Sequence, residues 1–352
     1  MLAPSHHQES KSVRLLAGAA VGGLTIAYLV FHARTHAPDD LQSAAEHLLQ
    51  GRTHWITFQN RLLAPWLIEA FRAATGWSWL TAFYALIAAC LAGGAGLLLW
   101  RSWRDTGRSI RGLGQVAAWF GFAFLLNHQW SYPWDYSGAF LCLLLAIWAR
   151  DRFWSLGAVK SWWLAAILLA LALNRESSLY LLAALMGAIL GHGFLEKQFG
   201  RTMKTAAVLA LAGLANLVGV LALRQALFTA TTRPPGSNGP EMAAGNFNQV
   251  LHNWRVLTRH GDRPPEDWLA IALVVVLGSA GIVLAVRFFN ALRPARPVPP
   301  GQLFAHLWLG VSAFAILLFA DLSELRVFFE LFPLGVILAF ESRSWRPPAA
   351  SG

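Results

Sequence analysis

Ser161 to Leu195 reads SWWLAAILLALALNRESSLYLLAALMGAILGHGFL, an apolar stretch interrupted by the polar sequence NRESS at 174–178. A single helix of about 35 residues would be about 52 Å long, which exceeds the roughly 30 Å of a bilayer's hydrocarbon core. The stretch therefore predicts two membrane helices, at 161–174 and 177–195, joined by a turn. The polar residues of the turn are expected at or just inside a membrane surface.

The chain as a whole has the composition of a membrane protein. Of its 352 residues 56% are hydrophobic and 13% are charged, and the mean hydropathy is +0.47. Repeated long apolar runs are typical of membrane helices and disfavour a water-soluble globule. The predicted spans lie at 13–33, 77–100, 113–128, 136–150, 161–174, 177–195, 204–229, 268–289, 303–320 and 325–341. We predict an all-α fold, a polytopic membrane helix bundle of about ten transmembrane helices in a single integral-membrane domain, 1–352.

The charge of the chain indicates topology rather than a nucleic-acid partner. The chain carries 28 Lys and Arg against 18 Asp and Glu, a net charge of +10, and the short connections on one side of the predicted bundle are the basic ones. This pattern predicts that these connections and both termini are cytoplasmic, as in a multi-pass protein of a bacterial inner membrane. Cys90 and Cys142 lie inside apolar runs and are expected as buried thiols rather than a disulfide or metal pair.

Two long loops are predicted on the outer side, at 34–76 and 230–267. The first loop is expected to contain two amphipathic surface helices, of which the earlier lies in the membrane interface. The apolar face of that helix consists of Leu41, Ala44, Ala45, Leu48 and Leu49. In the second helix Glu69 and Arg72 can pair across one turn, and Gly76 can end the helix. The loop 230–267 is expected to carry a third surface helix.

Asp39 and Asp40 directly follow the first span. Asp40 can cap the helix that begins at Leu41, because its carboxylate can accept hydrogen bonds from free backbone amides. One cap needs one residue, so Asp39 remains at the membrane surface, where a carboxylate can act as a general base or hold a metal ion. The sequence assigns no cofactor and leaves a requirement for a divalent metal open.

Two further charged pairs are predicted at the outer side. Arg175 and Glu176 do not face each other on a helix, so each needs a separate partner. A guanidinium suits bidentate contact with phosphate, which makes Arg175 a candidate for substrate binding. Glu324 and Arg326 lie in the outer turn between the last two predicted spans. They form either a solvated hairpin tip or part of the same site.

Asp135 and Arg61 are the remaining candidates. Asp135 lies among Tyr132, Trp134 and Tyr136, aromatic residues that are typical of a membrane-interface belt and that could equally stack on a sugar. Arg61 either extends its side chain to the lipid headgroups or binds an anionic lipid head.

These features resemble the GT-C superfamily of integral-membrane glycosyltransferases, which use polyprenyl-phosphate-linked sugars on the outer face of the membrane. The resemblance is carried by Asp39-Asp40 after the first span, by the long first outer loop and by the number of spans. The sequences Gln59-Asn60-Arg61-Leu62-Leu63-Ala64-Pro65, Asn174-Arg175-Glu176 and Glu324-Leu325-Arg326 are similar to motifs of uncharacterised bacterial membrane proteins assigned to this class.

The resemblance implies that Asp39 or Asp40 is the catalytic base for an acceptor hydroxyl, and that Arg175 and Arg326 hold the lipid phosphate. The expected substrate-binding residues are Arg61, Asp135, Arg175, Glu176, Glu324 and Arg326. The expected partners are a polyprenyl-phosphate-linked sugar and membrane lipid, with no nucleic acid and with the oligomeric state open. The alternatives are a transporter or flippase for a lipid-linked or anionic solute, and a non-catalytic scaffold subunit. Apolar spans without charge, such as 77–100, favour a one-sided site over a transport path.

Overall fold

The computed structural model describes residues 11–36, 38–51, 61–107, 112–126, 132–153, 156–160, 162–174, 178–227, 299–319, 328 and 330–340, with isolated positions between 254 and 286. In these residues the regular structure is helical, and no strand occurs among them. The described helices are α1 (Lys11–Thr35), α2 (Pro38–Leu49), α3 (Leu63–Thr75), α4 (Trp79–Thr106), α5 (Leu113–Leu126), α6 (Pro133–Arg152), a 3-10 helix (Leu156–Lys160), α7 (Trp162–Asn174), α8 (Ser178–Leu195), α9 (Phe199–Leu227), α10 (Pro300–Phe319) and α11 (Phe332–Phe340).

Three of the described helices, α1, α4 and α9, are long and apolar enough to cross a membrane. The helices α5, α7 and α8 are shorter and also apolar. The all-helical fold and these spans indicate a membrane protein. Nine of the predicted spans overlap a described helix, whereas 268–289 lies outside the described residues apart from isolated helical positions.

The stretch 161–195 forms two helices, as its length predicts. The first, α7, ends at Asn174, and α8 begins at Ser178 and packs against it. With 13 residues, α7 is about 20 Å long, shorter than a hydrocarbon core of about 30 Å.

Contacts near the helix ends set the direction of each helix. Tyr28, near the end of α1, packs against Phe124 near the end of α5 and against Tyr136 at the start of α6. At the other end, the Arg14 guanidinium lies 5.3 Å from the centre of the Trp103 ring, which joins the start of α1 to the last turns of α4. We call the end of the bundle where α1 stops and α4 and α6 begin the upper end, and the opposite one the lower end.

The later helices also alternate in direction between the upper and the lower end. The Asn174 side chain donates a hydrogen bond to the Trp134 carbonyl oxygen at the start of α6, so α7 ends at the upper end. The Leu62 amide, just before α3, donates a 2.9 Å hydrogen bond to the Leu173 carbonyl oxygen and so lies at the same end. The Gly301 amide donates a 2.9 Å hydrogen bond to the Phe153 carbonyl oxygen, so α10 begins at the lower end, where α6 stops. Between them, α8 packs against both α9 and α10.

The first helix turns its more polar side inward. Its buried positions form one stripe along the helix, Ala17, Val21, Thr25, Tyr28 and His32. Leu15, Leu16 and Ile26 lie on its outer faces with exposed fractions of 74%, 69% and 65%. A helix of a water-soluble protein would show the reverse pattern, so this arrangement fits a helix that faces lipid.

The two surface helices of the first outer loop are present as α2 and α3. The predicted Glu69–Arg72 pair forms with a nitrogen-to-oxygen distance of 2.8 Å, and Gly76 ends α3 in a left-handed conformation with φ of 71°. The apolar face of α2 is buried in the bundle except at the half-buried Leu49, and α2 packs against α3 and α4. That face therefore packs on protein and not into the bilayer interface. The helix begins at Pro38, which places Asp40 within its first turn and not before it.

Candidate functional site

The upper end collects the polar side chains of several helices around the first turn of α6. The Asn174 side-chain amide, fully buried at the end of α7, donates a 2.9 Å hydrogen bond to the Trp134 carbonyl oxygen. Its side-chain oxygen accepts a 2.5 Å hydrogen bond from the Ser137 hydroxyl. Gly138 allows this approach, because a Cβ there would lie 2.8 Å from the Asn174 side-chain nitrogen. The first residue of the predicted polar turn therefore fixes α7 to α6.

Arg61 is one of the predicted substrate-binding residues, and it lies beside the same turn. Only 7% of Arg61 is exposed, and its guanidinium lies 5.5 Å from the centre of the Trp134 ring. The Tyr132 ring stacks against Trp134, with ring centres 4.6 Å apart and an interplanar angle of 9°. Arg61 is thus held within the protein by a cation–π contact and does not extend along the surface to the lipid headgroups.

Asp135 is almost fully buried in the first turn of α6. One carboxylate oxygen accepts a 2.9 Å hydrogen bond from the Tyr132 amide, which satisfies a backbone donor at the helix start. A carboxylate near a helix N-terminus is also favoured by the helix dipole. The neighbouring Trp134 and Tyr136 are buried core residues, so they do not form an interface belt.

A group of buried tyrosines and histidines that was not predicted from the sequence lies next to Asp135. The Tyr28 and Tyr136 hydroxyls are hydrogen-bonded to each other. His32 is fully buried, lies 6.0 Å from the Tyr136 ring and stacks on His36 with ring centres 4.4 Å apart. Thr35 contacts the His36 ring nitrogen at 2.9 Å. The signal in the sequence was the i, i+4 spacing of Tyr28, His32 and His36 along one face of an otherwise apolar helix.

Asp39 and Asp40 lie in the first turn of α2, and both are exposed. The turn belongs to the upper end, because α2 begins at Pro38, directly after α1 ends there at Thr35. Two carboxylates in a first turn are stabilised by the helix dipole and remain open to a ligand. The other predicted residues, Arg175, Glu176, Glu324 and Arg326, lie outside the described residues.

The lower end carries a different charge arrangement. Asp151, which follows the apolar stretch of α6, lies 2.6 Å from an Arg104 nitrogen, 2.7 Å from an Arg150 nitrogen and 3.6 Å from an Arg101 nitrogen. Asp105 lies within 3.8 Å of the same three arginines. Burial raises the pKa of Asp151, but the charge of Arg101 and the hydrogen bonds from Arg104 and Arg150 outweigh it and hold this pKa below its ordinary value. These ion pairs hold α4 against α6.

Within the described part of the chain, no group of three or more His, Cys, Asp or Glu side chains is placed to hold a metal ion. Cys90 and Cys142 are buried free thiols, as their sequence positions predict. No protein-family model, no curated protein and no solved structure matches the chain.

Proposed function

We propose that the chain is a multi-pass membrane glycosyltransferase. It transfers a sugar from a polyprenyl-phosphate donor to an acceptor hydroxyl at the upper end of the bundle, on the periplasmic face of a bacterial inner membrane. Asp39, assisted by Asp40, takes the proton of the acceptor hydroxyl as the bond to the sugar forms, and the sugar–phosphate bond breaks with the electron pair leaving on the phosphate. Arg61, Arg175 and Arg326 stabilise the charge of the departing phosphate, and Asp135, Glu176 and Glu324 orient the sugar and the arginines.

The observation that carries this proposal is the difference between the two ends. At the upper end the buried Arg61 and Asp135 lie around one turn of α6, at the same end as the exposed Asp39 and Asp40. At the lower end Arg101 forms ion pairs with two aspartates, Asp105 and Asp151. Exposed carboxylates at the same end as a buried guanidinium fit an enzyme that meets its substrates at one membrane surface better than they fit a transport path.

The directions of the helices support a bundle of about ten spans. Helix α9 begins beside the end of α8 at the lower end and, with 29 residues, extends about 43 Å toward the upper end. Helix α10 begins again at the lower end, at Pro300. One further crossing between Leu227 and Pro300 would connect these two ends, and we assign it to 268–289, the apolar run of suitable length predicted from the sequence. Reporter fusions after positions 236 and 296 should lie on opposite sides of the membrane, and fusions on the same side would contradict this topology.

The decisive experiment measures release of polyprenyl phosphate from a panel of polyprenyl-phosphate sugars by the purified protein in lipid vesicles. Turnover by the wild type should fall about 100-fold or more in Asp39→Asn, the size expected when a general base is lost. Glu69→Gln, a surface carboxylate change on α3, is the matched control and should retain turnover. If Asp39→Asn and Asp40→Asn both kept full turnover, the assignment of the base would be wrong. If no donor were turned over while the wild type moved a labelled lipid across vesicles, the chain would be a transporter.

Arg61 can be tested separately from the base. Arg61→Lys keeps the charge but removes the planar guanidinium that stacks on Trp134 and can hold two phosphate oxygens. The KM for the donor should rise about tenfold, roughly 1.4 kcal/mol of binding. Arg72→Lys, in the partly exposed pair with Glu69, serves as the control and should leave KM unchanged. An unchanged KM in Arg61→Lys would remove Arg61 from the site.

A further inference from the structure

The buried face of α1 changes its chemistry along the helix. Its lower part turns small apolar residues such as Ala17 and Val21 to the bundle. Its upper part and the residue that follows it present the buried rings of Tyr28, His32 and His36 instead. Ionisable side chains within a membrane bundle are costly and mark functional regions. On α1 these side chains occur only toward the upper end, where the candidate site lies.

His32 contacts two other helices at the upper end. Its ring centre lies 5.7 Å from that of Phe83 and 5.8 Å from that of Tyr84, both in α4, and 6.0 Å from that of Tyr136 in α6. The rings of Tyr84 and Tyr136 are inclined to His32 by 86° and 66°, close to the edge-to-face arrangement that aromatic rings favour. The Tyr136 hydroxyl is also hydrogen-bonded to that of Tyr28. His32 is therefore held against the first turn of α6.

His36 extends this contact beyond the end of α1. Its ring stacks on His32 with ring centres 4.4 Å apart and an interplanar angle of 12°. Its backbone amide donates a 3.1 Å hydrogen bond to the His32 carbonyl oxygen, and its ring Nδ1 lies 2.9 Å from the Thr35 hydroxyl oxygen. Both the ring and the backbone of His36 are thus held in place.

Asp39, the proposed base, lies three residues beyond His36. Three residues span at most about 11 Å when fully extended. One of them is Pro38, the first residue of α2, whose ring restricts the backbone further. The place of His36 therefore limits how far the first turn of α2 can move from α1.

The turn of α6 that contacts His32 also carries the other side of the site. Tyr136 lies two residues after Trp134, and the Arg61 guanidinium lies 5.5 Å from the centre of the Trp134 ring. The row of contacts thus continues from the histidines to the arginine that faces the phosphate in the function proposed above. Their relative placement matters, because a misplacement of about 1 Å in an active site can cost about 100-fold in rate.

We propose that His32 and His36 are positioning residues, whose stacked rings hold Asp39 at a fixed place relative to Arg61. This proposal rests on the glycosyltransferase function proposed above. Both imidazoles are buried, so they act through Asp39 and do not touch the acceptor themselves. The stack requires two flat rings and not their exchangeable protons, which distinguishes this role from acid–base catalysis.

The kinetic test compares alanine, which removes the ring, with phenylalanine, which keeps a flat ring that can stack but carries no exchangeable proton. His32→Ala and His36→Ala should each lower kcat for release of polyprenyl phosphate about tenfold. The KM for the donor should stay unchanged, because Arg61 keeps its contact with Trp134. His32→Phe and His36→Phe should restore most of kcat.

Thr25→Val is the matched control on the same buried face of α1. The Thr25 hydroxyl donates a 2.8 Å hydrogen bond to the Val21 carbonyl oxygen within α1, so its loss should leave kcat unchanged. Thermal unfolding of each variant ensures that kcat refers to folded protein. Alanine variants with the kcat of the wild type would overturn the proposal. Phenylalanine variants as slow as the alanine variants would also overturn it, because the ring nitrogens and not the stack would then be required.

A distance measurement tests the same role without any donor. Spin labels at Ser43→Cys, exposed on α2, and at Arg152→Cys, exposed at the lower end of α6, report the position of α2 relative to α6. Cys90 and Cys142 are buried, so the protein without these two substitutions should take up no label. His36→Ala should broaden the distribution of label distances, and His36→Phe should restore its width. An unchanged distribution in His36→Ala would overturn the proposal.

The two measurements make the two proposals fail separately. Broader distances in the alanine variant, with no donor turned over by the wild type, would contradict the glycosyltransferase and support the role of the histidines in holding α2. Donor turnover by the wild type, with kcat and distances unchanged in the alanine variants, would contradict the positioning role alone.

Discussion

The side-chain amide of Asn174 donates a 2.9 Å hydrogen bond to the backbone carbonyl oxygen of Trp134, and so joins the last residue of α7 to the first turn of α6. The bond is fully buried and lies where the polar turn after α7 begins. It therefore fixes the depth at which α7 ends.

Asn174→Ala should destabilise the protein and reduce donor turnover together. The substitution removes a buried donor and acceptor and leaves the Trp134 carbonyl oxygen without this hydrogen bond, at a cost of about 1–3 kcal/mol. Ser137→Ala is the control, because it removes only the hydroxyl and should cost less. Thermal unfolding in detergent measures the stability of both variants, and release of polyprenyl phosphate measures their donor turnover. Equal stability of Asn174→Ala and the wild type would show that the contact does not fix α7.

The Tyr28–Tyr136 hydrogen bond allows a double-mutant cycle. Tyr28→Phe and Tyr136→Phe each remove one hydroxyl and deprive the other of this bond inside the bundle, at about 1–3 kcal/mol each. In the double variant both hydroxyls are absent, so its loss of stability should be smaller than the sum of the single losses. Additive losses in thermal unfolding would show that the two hydroxyls act independently.

Local features of the fold could be predicted from the sequence because short-range chemistry sets them. The division of 161–195 follows from length and the polar interruption. The Glu69–Arg72 pair and the left-handed Gly76 follow from spacing along one helix. Each depends on residues that are close in the sequence, so no knowledge of the packing was needed.

The arrangement of the upper end could be predicted only in part. The sequence predicts Arg61 and Asp135 as members of one substrate-binding set, and both lie around the turn of α6 that also contacts Asn174. The burial of Arg61 against Trp134 depends on how α3 approaches α6, which spacing within either helix cannot give. The apolar face of α2 likewise could pack on lipid or on protein, and the sequence pattern is the same in both cases.

Asp151 gives the protein a specific acid sensitivity. Its pKa in the folded chain lies below its ordinary value, so its contribution to stability is fully present above about pH 4. That contribution is lost as the pH falls through the lower pKa of the folded state. Asp151→Asn should cost about 3–5 kcal/mol near neutral pH, since it leaves three arginines facing Asp105 alone.

Unfolding temperatures between pH 7 and pH 3 test this prediction. The wild type should lose stability below about pH 4, and Asp151→Asn should lose less over the same interval because the titrating group is absent. Glu69→Gln, at the opposite end, should follow the wild type. Parallel curves for Asp151→Asn and the wild type would contradict the role of this carboxylate.

Gly193 and Gly200 provide a matched pair of glycines on either side of the α8–α9 connection. A Cβ at Gly193 would collide with the buried Thr202 side chain, whose hydroxyl donates a 2.8 Å hydrogen bond to the Phe199 carbonyl oxygen. Gly193→Ala must displace Thr202 and should lower the free energy of unfolding by about 1–3 kcal/mol. A Cβ at Gly200, in the first turn of α9, meets nothing within 4 Å. Gly200→Ala should therefore be neutral or stabilise the helix by up to about 1 kcal/mol, and equal effects of the two substitutions on thermal unfolding would contradict the close packing of α8 on α9.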